Sequence, residues 1–154
     1  MPIREMKESD LPQVLAIQRD LSFQDWNEKQ FTAEIRASYA LCIVYETDKS
    51  GDAAVNNAAG SIEGYAIFHL MGPDSELLSI ATKSSAQRKG IGSELLQAGL
   101  ARLDFTAGDK MFLEVREGNT KARKFYEKHG FIEYSNRARY YSDGENAILY
   151  SKTQ

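Results

Sequence analysis

The sequence predicts a single domain of the mixed α/β class. Apolar residues recur at helical spacing in some segments and alternate with polar residues in others, and glycine, proline and asparagine separate the segments. A chain of 154 residues is long enough for one domain that buries roughly two-thirds of its unfolded surface. The sequence contains no internal repeat and no linker-like stretch, so we expect one domain that spans residues 1–154.

Composition narrows the choice of partners and compartment. The net charge is −3, which predicts no nucleic-acid partner. The sequence shows neither a signal peptide nor an apolar run long enough to span a bilayer, so we expect a cytoplasmic protein without a membrane partner. The single cysteine, Cys42, cannot form an internal disulfide and lies in an apolar run, which favours a buried hydrophobic role over a nucleophilic one. The sequence leaves the oligomeric state open.

The N-terminal third predicts a strand followed by two helices. The strand covers residues 3–6. Ser9 or Asp10 is expected to cap the first helix, with Pro12 in its first turn. Asn27 is expected to cap the second helix.

Two strands and a long loop come next. Residues 39–46 are rich in β-branched and aromatic side chains and predict a strand. Residues 47–59 are small and polar and predict a flexible hairpin loop. A second strand is expected at residues 60–70, ending at the Gly72-Pro73-Asp74 turn.

The C-terminal half predicts alternating strands and helices. A strand over residues 77–81 leads to a helix over residues 91–103, which Gly108 is expected to end. The later elements are a strand at 111–116, a helix from Asn119 to Gly130, and strands at 131–141 and 147–151 joined by a turn at 142–145.

The turn before the helix at residue 91 is basic and contains glycine. Its sequence is Gln87-Arg88-Lys89-Gly90-Ile91-Gly92. A helix N-terminus carries unpaired N–H groups and a partial positive charge, so this turn predicts a site for an anion such as a pyrophosphate. The alternative is a tight turn with a solvated basic flank.

The same turn resembles the Q/R-x-x-G-x-G/A signature of the GNAT acetyltransferases, in which it holds the pyrophosphate of acetyl-CoA. The resemblance implies the GNAT fold, with a central and mostly antiparallel sheet that is splayed at the cofactor site and flanked by helices. It also implies acetyl-CoA as cosubstrate and a cofactor-binding set of Ile80, Ala81, Thr82, Gln87, Arg88, Lys89, Gly90, Ile91, Gly92, Ser93 and Asn119.

Acetyl transfer to an amine requires a base for the amine and an acid for the departing thiolate. Glu114 is the candidate base, Tyr126 the candidate acid, and backbone N–H groups near Ala81 are candidates for stabilising the oxyanion. From the residues alone, the favoured interpretations are instead that Glu114 is the partner of Arg116 on a half-exposed strand face and that Tyr126 is a core aromatic. Two histidines far apart in the sequence predict no metal site.

Two segments resemble the RimI type within this family. Leu113-Glu114-Val115-Arg116-x-x-Asn119 is similar to its L-E-V-R-x-x-N segment, and residues 125–131, FYEKHGF, to its A/F-Y-x-x-x-G-F segment. The resemblance implies that Glu114 accepts a proton, that Tyr126 donates one, and that the acceptor is the N-terminal α-amine of a ribosomal protein. Asn119 matches a cofactor contact and is also explained as a helix cap.

Aromatic residues in two further segments match the same type. Residues 23–31 resemble its F-P-W-S-E-x-x-F loop, and residues 137–145 its R-x-x-Y-Y ending, so Trp26, Tyr140 and Tyr141 are the substrate-binding candidates. Residues 82–87 depart from the usual V-D-P-x-x-Q, which puts the rigidity of that loop in doubt. The aromatic loop is one residue longer than usual.

Two other functions stay open at this stage. The first is a GNAT enzyme that acts on a lysine side chain or a small amine. The second is a non-catalytic regulatory module that binds acyl-CoA.

Overall fold

The computed structural model describes residues 2–21, 26–47 and 60–154. Within these residues the strands are β1 (Ile3–Glu5), β2 (Ala40–Thr47), β3 (Ser61–His69), β4 (Asp74–Thr82), β5 (Lys110–Arg116), β6 (Ile132–Arg137) and β7 (Ala147–Lys152). The helices are α1 (Leu11–Leu21), α2 (Glu28–Arg36), α3 (Ile91–Leu100) and α4 (Thr120–Lys128). Short 3-10 turns occur at Glu8–Asp10, Ser84–Ala86 and Phe105–Ala107. The mixed α/β class predicted from the sequence is confirmed.

The strands form one sheet in the order β1-β2-β3-β4-β5-β7-β6. The pairs β1–β2, β5–β7 and β6–β7 are antiparallel, and β4–β5 is parallel. The register of the parallel pair sets Asp74–Glu76 against Lys110–Phe112. The strand before the basic turn and the strand that carries Glu114 are therefore neighbours, as the sequence predicts.

The chain divides into two compact units. The first unit comprises Met1–Phe68 and Ser79–Gly99, and the second comprises His69–Leu78 and Leu100–Gln154. In the first unit, the fully buried side chains include Val14, Phe31 and Tyr65. A Cβ added at Gly64 would lie 2.9 Å from the Ala81 carbonyl oxygen, so glycine permits a close approach of the backbone there.

The core of the second unit follows the predicted alternation along β5. Met111, Leu113 and Val115 are buried, whereas Phe112, Glu114 and Arg116 are only partly buried. Tyr150 in β7 is completely buried. One face of β5 therefore packs into the core and the other carries Glu114, as expected for a strand with period 2.

The start of α1 differs from the prediction, while the start of α2 agrees with it. Asp10 closes a 3-10 turn, and its carboxylate accepts hydrogen bonds from the Lys7 N–H at 2.7 Å and from Arg4 at 2.8 Å. Arg4 thus occupies the carboxylate that was expected to cap α1. Asn27 does cap α2, because its side chain accepts from the Gln30 N–H at 2.8 Å.

Helix α3 ends at Leu100 instead of continuing to residue 103. The chain after Leu100 tightens, because the Leu103 N–H donates to the Leu100 carbonyl at 3.1 Å. Asp104 then starts a separate 3-10 turn, in which its side chain accepts from Thr106 N–H at 3.1 Å and Ala107 N–H at 3.2 Å. Gly108, with a φ of 97°, ends that turn and not α3, which corrects the prediction.

Strand β6 ends at Arg137 instead of reaching residue 141. Arg139 adopts a left-handed φ of 53°, which stops the strand. Tyr141 then begins a tight turn, in which its carbonyl accepts from the Gly144 N–H at 2.9 Å. Residues 138–146, called the β6–β7 loop below, are consequently longer than the predicted turn at 142–145.

Two loops predicted from the sequence extend beyond the residues that the structure describes. Phe23 of the aromatic loop and residues 48–59 of the predicted loop lie outside the described residues, and Thr47 belongs to β2. Of the helices in the described ranges, none is long and apolar enough to cross a bilayer. Cys42 is 7% exposed, and its burial raises the pKa of the thiol to about 12.

Candidate active site

The basic turn stands at the N-terminus of α3, in the first unit. Residues 87–90 connect the 3-10 turn at Ser84–Ala86 to α3, and Arg88, Lys89 and Gly90 are exposed. Arg88 and Gly90 have positive φ values of 67° and 80°. The first N–H groups of α3 are thus preceded by an exposed loop with two cationic side chains, an arrangement suited to an anion.

Several hydrogen bonds hold this loop, although its sequence lacks the V-D-P that is usual in the RimI type. The Lys83 N–H donates to the Glu63 carbonyl at 2.8 Å, and the Gln87 amide donates to the Thr82 carbonyl at 3.2 Å. The Ser84 hydroxyl donates to the Asp20 carboxylate in α1. Ala86 is buried, with 2% exposure. The sequence departure therefore leaves the loop anchored on both sides.

The other cofactor-binding candidates fall in both units. Ile80, Ala81 and Thr82 form the end of β4 in the first unit, where Ala81 is buried. Asn119 lies in the second unit, and its side chain accepts from the Ala122 N–H at 3.2 Å as the cap of α4. The capping role considered for Asn119 is thus present.

Glu114 lies on the half-buried face of β5 and does not pair with Arg116. Its Oε1 atom is 3.8 Å from Nη1 of Arg137. Arg116 instead forms ion pairs with Asp143 at 2.9 Å and Glu145 at 3.0 Å. The sequence interpretation that joined Glu114 to Arg116 is wrong, because the sheet order brings β6 and the β6–β7 loop close to β5.

Tyr140 and Tyr141 are grouped with Glu114 in the second unit. The Glu114 carboxylate raises the pKa of Tyr140, through hydrogen bonding first and then through its charge. Burial raises the pKa of Tyr141, and the charge of Glu114 raises it further. The two tyrosine rings meet edge to face, with centroids 5.1 Å apart, and the guanidinium carbon of Arg116 lies 4.0 Å from the Tyr141 centroid.

Tyr126 lies in α4 within an aromatic cluster. Its ring centroid is 5.3 Å from that of Phe125 and 5.8 Å from that of Phe131. Burial strongly raises the pKa of the Tyr126 phenol, and the neighbouring Tyr141 raises it further. Tyr126 is therefore a core aromatic that keeps its proton at neutral pH.

Trp26 belongs to the first unit, directly before α2. Its backbone N–H donates to the side-chain carbonyl oxygen of Gln18 at 3.2 Å, and its ring centroid is 5.1 Å from that of Phe31. Because Phe31 is completely buried, it gives the half-buried indole a fixed support.

Sequence reasoning missed two residues of the group around Glu114. Arg137 is the ion-pair partner, and Glu76 in β4 carries a second carboxylate. Burial raises the pKa of Glu76, as does the charge of Glu114, while His69 and Arg137 lower it. The alternation along β4 places Glu76 on its half-buried face, but only the parallel pairing with β5 reveals its relation to Glu114.

The chain belongs to the Acetyltransferase (GNAT) family, whose model matches residues 5–131. This match confirms the predicted N-acetyltransferase activity and the predicted fold.

Relatives of known name support the resemblance to the RimI type. The chain is 29% identical to the ribosomal protein bS18-alanine N-acetyltransferase of Escherichia coli, over 96% of this chain and 93% of the relative. It is also 29% identical to an N-alpha-acetyltransferase of Sulfurisphaera tokodaii, over 96% of this chain and 89% of the relative.

Solved structures with the same fold include the following two. The crystal structure of the ribosomal-protein-S18-alanine N-acetyltransferase from Escherichia coli has a TM-score of 0.78 at 28% identity and covers 97% of this chain and 91% of its own. Arabidopsis thaliana NAA60 in complex with acetyl-CoA has a TM-score of 0.79 at 12% identity, with 97% and 96% covered, which shows a common fold.

Proposed function

We propose that this protein is a single-domain enzyme, spanning residues 1–154, that transfers acetyl from acetyl-CoA to the N-terminal α-amine of a protein. The observation that carries the proposal is the grouping of Glu114 with Tyr140 and Tyr141, next to the buried Tyr126. The names of the relatives from Escherichia coli and Sulfurisphaera tokodaii, which specify α-amine and alanine N-acetylation, support this acceptor class.

The exposed turn at the start of α3 is suited to the pyrophosphate of acetyl-CoA. Its N–H groups and the cations Arg88 and Lys89 would hold the phosphates, and Asn119 would add a polar contact. Backbone groups of residues 80–82 would pair with the pantetheine arm. The fold shared with the acetyl-CoA complex of NAA60 supports this donor.

Glu114 is proposed as the proton acceptor. The acceptor amine must lose a proton to attack the thioester carbonyl, and an α-amine has a pKa of about 7.7–8.0, so a carboxylate that works through a water molecule suffices. A nitrogen–carbon bond forms, the carbon–sulfur bond breaks, and the amine proton passes to Glu114.

Tyr126 is proposed as the proton donor to the departing sulfur. A tyrosine phenol, with an ordinary pKa of about 10, is protonated at neutral pH, and the burial of Tyr126 preserves that state, which a donor requires. Its aromatic neighbours fix the ring, so the position of the hydroxyl is defined by packing.

Trp26, Tyr140 and Tyr141 are proposed to bind the acceptor peptide. Tyr140 is 46% exposed, and the Glu114 carboxylate is near enough to raise its pKa, so a peptide that contacts Tyr140 would lie beside the proposed base. We infer a protein N-terminus, with a ribosomal protein as the candidate partner by analogy with the Escherichia coli relative.

The test is a measurement of coenzyme A release with three acceptors. These are a short peptide that begins Ala-Arg, an N-terminally blocked version that carries a lysine, and spermidine. We expect activity on the free N-terminus alone. Activity only on the blocked lysine peptide or on spermidine would replace the α-amine assignment, and binding of acetyl-CoA without turnover of any acceptor would indicate a regulatory module.

A further inference from the structure

Gln18 in α1 is a buried polar side chain that binds both backbone groups of one residue, Trp26. Gln18 is 5% exposed. Its amide nitrogen donates to the Trp26 carbonyl at 2.5 Å, and its amide oxygen accepts from the Trp26 N–H at 3.2 Å. Breaking these bonds would leave polar groups unpaired in a buried place, which is costly. The two bonds therefore fix the backbone of Trp26 relative to α1.

Further contacts fix the Trp26 ring and the chain that follows it. The indole centroid lies 5.1 Å from that of Phe31, which is completely buried and meets the Tyr65 ring edge to face at 5.7 Å. Directly after Trp26, the side chains of Asn27 and Gln30 each accept a hydrogen bond from the other residue's N–H at 2.8 Å. The half-buried indole therefore rests on the core of the first unit, between a backbone fixed from α1 and a capped helix.

We propose that Gln18 is a positioning residue for the acceptor: it holds Trp26 so that the indole offers a preformed surface to the acceptor peptide. Gln18 acts through Trp26 and does not itself contact the peptide. The proposal rests on the acceptor-binding role of Trp26 in the proposed function. A preformed surface binds more tightly because less conformational freedom is lost on binding. Removing the Gln18 amide should therefore weaken acceptor binding and leave the chemical step unchanged.

Helix α1 also supplies a matched control. Gln13 is half-buried, and its side-chain oxygen accepts from the Ile62 N–H in β3 at 2.9 Å. It is thus a second glutamine of the same helix that binds backbone, but the backbone of a strand and not that of Trp26. The same substitution at both positions separates the loss of any backbone anchor from the loss of the anchor of Trp26.

The first test compares Gln18→Met and Gln13→Met with the wild type in steady-state kinetics on the peptide that begins Ala-Arg. Methionine has a similar length but neither donates nor accepts strongly. We expect Gln18→Met to raise the acceptor KM about three- to tenfold, the scale of one lost hydrogen bond, with kcat and the KM for acetyl-CoA nearly unchanged. Gln13→Met should lower the unfolding midpoint but keep the wild-type acceptor KM. Equal acceptor KM values in the two variants would overturn the proposal.

The second test observes the indole without catalysis. Trp26 is the single tryptophan of the chain, so its fluorescence reports its own surroundings. Quenching by acrylamide should increase in Gln18→Met, because the released indole becomes more accessible, and should stay at the wild-type level in Gln13→Met. Unchanged quenching in Gln18→Met would show that the amide does not hold Trp26, and this would overturn the proposal whatever the acceptor is.

Two further variants complete the experiment. Gln18→Glu keeps the length of the side chain and an oxygen for the Trp26 N–H, so it replaces Gln18→Met if that variant does not fold. Its acceptor KM should rise by a smaller factor, and a wild-type KM together with wild-type quenching would contradict the proposal. The double variant of Gln18→Met and Trp26→Ala should have the acceptor KM of Trp26→Ala alone, because Gln18 acts through Trp26. An additional loss in the double variant would contradict that route.

Failure of the underlying assignment gives a different pattern. If Trp26→Ala keeps the wild-type acceptor KM while quenching increases in Gln18→Met, Gln18 anchors Trp26 but Trp26 does not bind the acceptor. That result would remove the acceptor role proposed for Trp26 and, with it, the role proposed for Gln18.

Discussion

The loop at residues 83–90 and the β6–β7 loop are held by different forces. The loop at residues 83–90 is fixed mainly by hydrogen bonds to neighbouring backbone, with Ala86 buried beneath it. The β6–β7 loop is fixed by charge, because Arg116 pairs with Asp143 and Glu145 and stacks on Tyr141. Ion pairs between partly exposed groups weaken as salt rises. The loop of the proposed donor site should therefore keep its conformation as salt rises, whereas the β6–β7 loop of the proposed acceptor site should loosen.

The largest effect is expected when the chemistry is removed without disturbing either loop. Tyr126→Phe keeps the aromatic packing but deletes the hydroxyl, so turnover should fall by about 10²-fold or more, in line with the contribution of a positioned acid. Acetyl-CoA affinity should be nearly unchanged, as measured by calorimetry. Tyr134→Phe, which alters an exposed tyrosine of the same unit, is the matched control and should retain activity. Equal losses of turnover and affinity in Tyr126→Phe would assign Tyr126 to packing or cofactor binding.

A packing change in the first unit should lower the stability of the fold without affecting the β6–β7 loop. A Cβ at Gly99 in α3 would overlap the ring of the completely buried Phe68. Gly99→Ala should therefore lower the free energy of unfolding by about 1–3 kcal/mol, the usual cost of overpacking. Urea denaturation measures the change. Adding Phe68→Leu should recover part of the loss, and additive losses in the double variant would contradict a steric cause.

Loosening the β6–β7 loop should raise the KM for the acceptor. Arg116→Gln removes the cation shared by Asp143 and Glu145, and we expect a KM increase of about fivefold, corresponding to an interaction of about 1 kcal/mol for a partly exposed network. The KM for acetyl-CoA should stay the same. The control is Arg102→Gln, which removes an exposed arginine of the same unit. The peptide KM of the wild type should rise with salt, and that of Arg116→Gln should change less.

The smallest effect is expected at the donor turn. Lys89 is exposed beside the start of α3, so Lys89→Gln should weaken acetyl-CoA binding about two- to fivefold, the scale of one solvated charge near a helix terminus. Lys29→Gln, an exposed lysine of α2, is the control for net charge. Equilibrium binding at two salt concentrations measures both. Equal affinities for the two variants would mean that Lys89 contributes only general charge.

The order of strands and helices was predictable because each element carries its own local pattern. The alternation along β5, the Asn27 cap and the end of α4 at Gly130 depend on residues that are near each other in sequence. The end of α3 was not predictable from apolar spacing, because Leu103 continues the spacing but bonds to Leu100 in a tighter turn. The end of β6 likewise depends on the left-handed Arg139 and on a loop held by Arg116, which is distant in sequence.

The candidate site was predictable to the extent that its residues fall in family motifs. Glu114 and Tyr126 were proposed in this way, and the structure groups Glu114 with Tyr140 and Tyr141 as well. The partner of Glu114 was missed because alternation alone favours Arg116, whereas the order β5-β7-β6 supplies Arg137. Glu76 was missed for the same reason, since its significance depends on which strand lies beside β4.

The burial of Cys42 makes a colorimetric thiol assay suitable for this enzyme. The side chain is 7% exposed, and the pKa of its thiol is raised to about 12, so in the folded protein it holds almost no thiolate at neutral pH. Because Cys42 is the single cysteine of the chain, a disulfide reagent added during turnover would react with free coenzyme A over a negligible protein background. The same reagent would label Cys42 upon unfolding, so one chemical probe can report both product formation and the integrity of the fold.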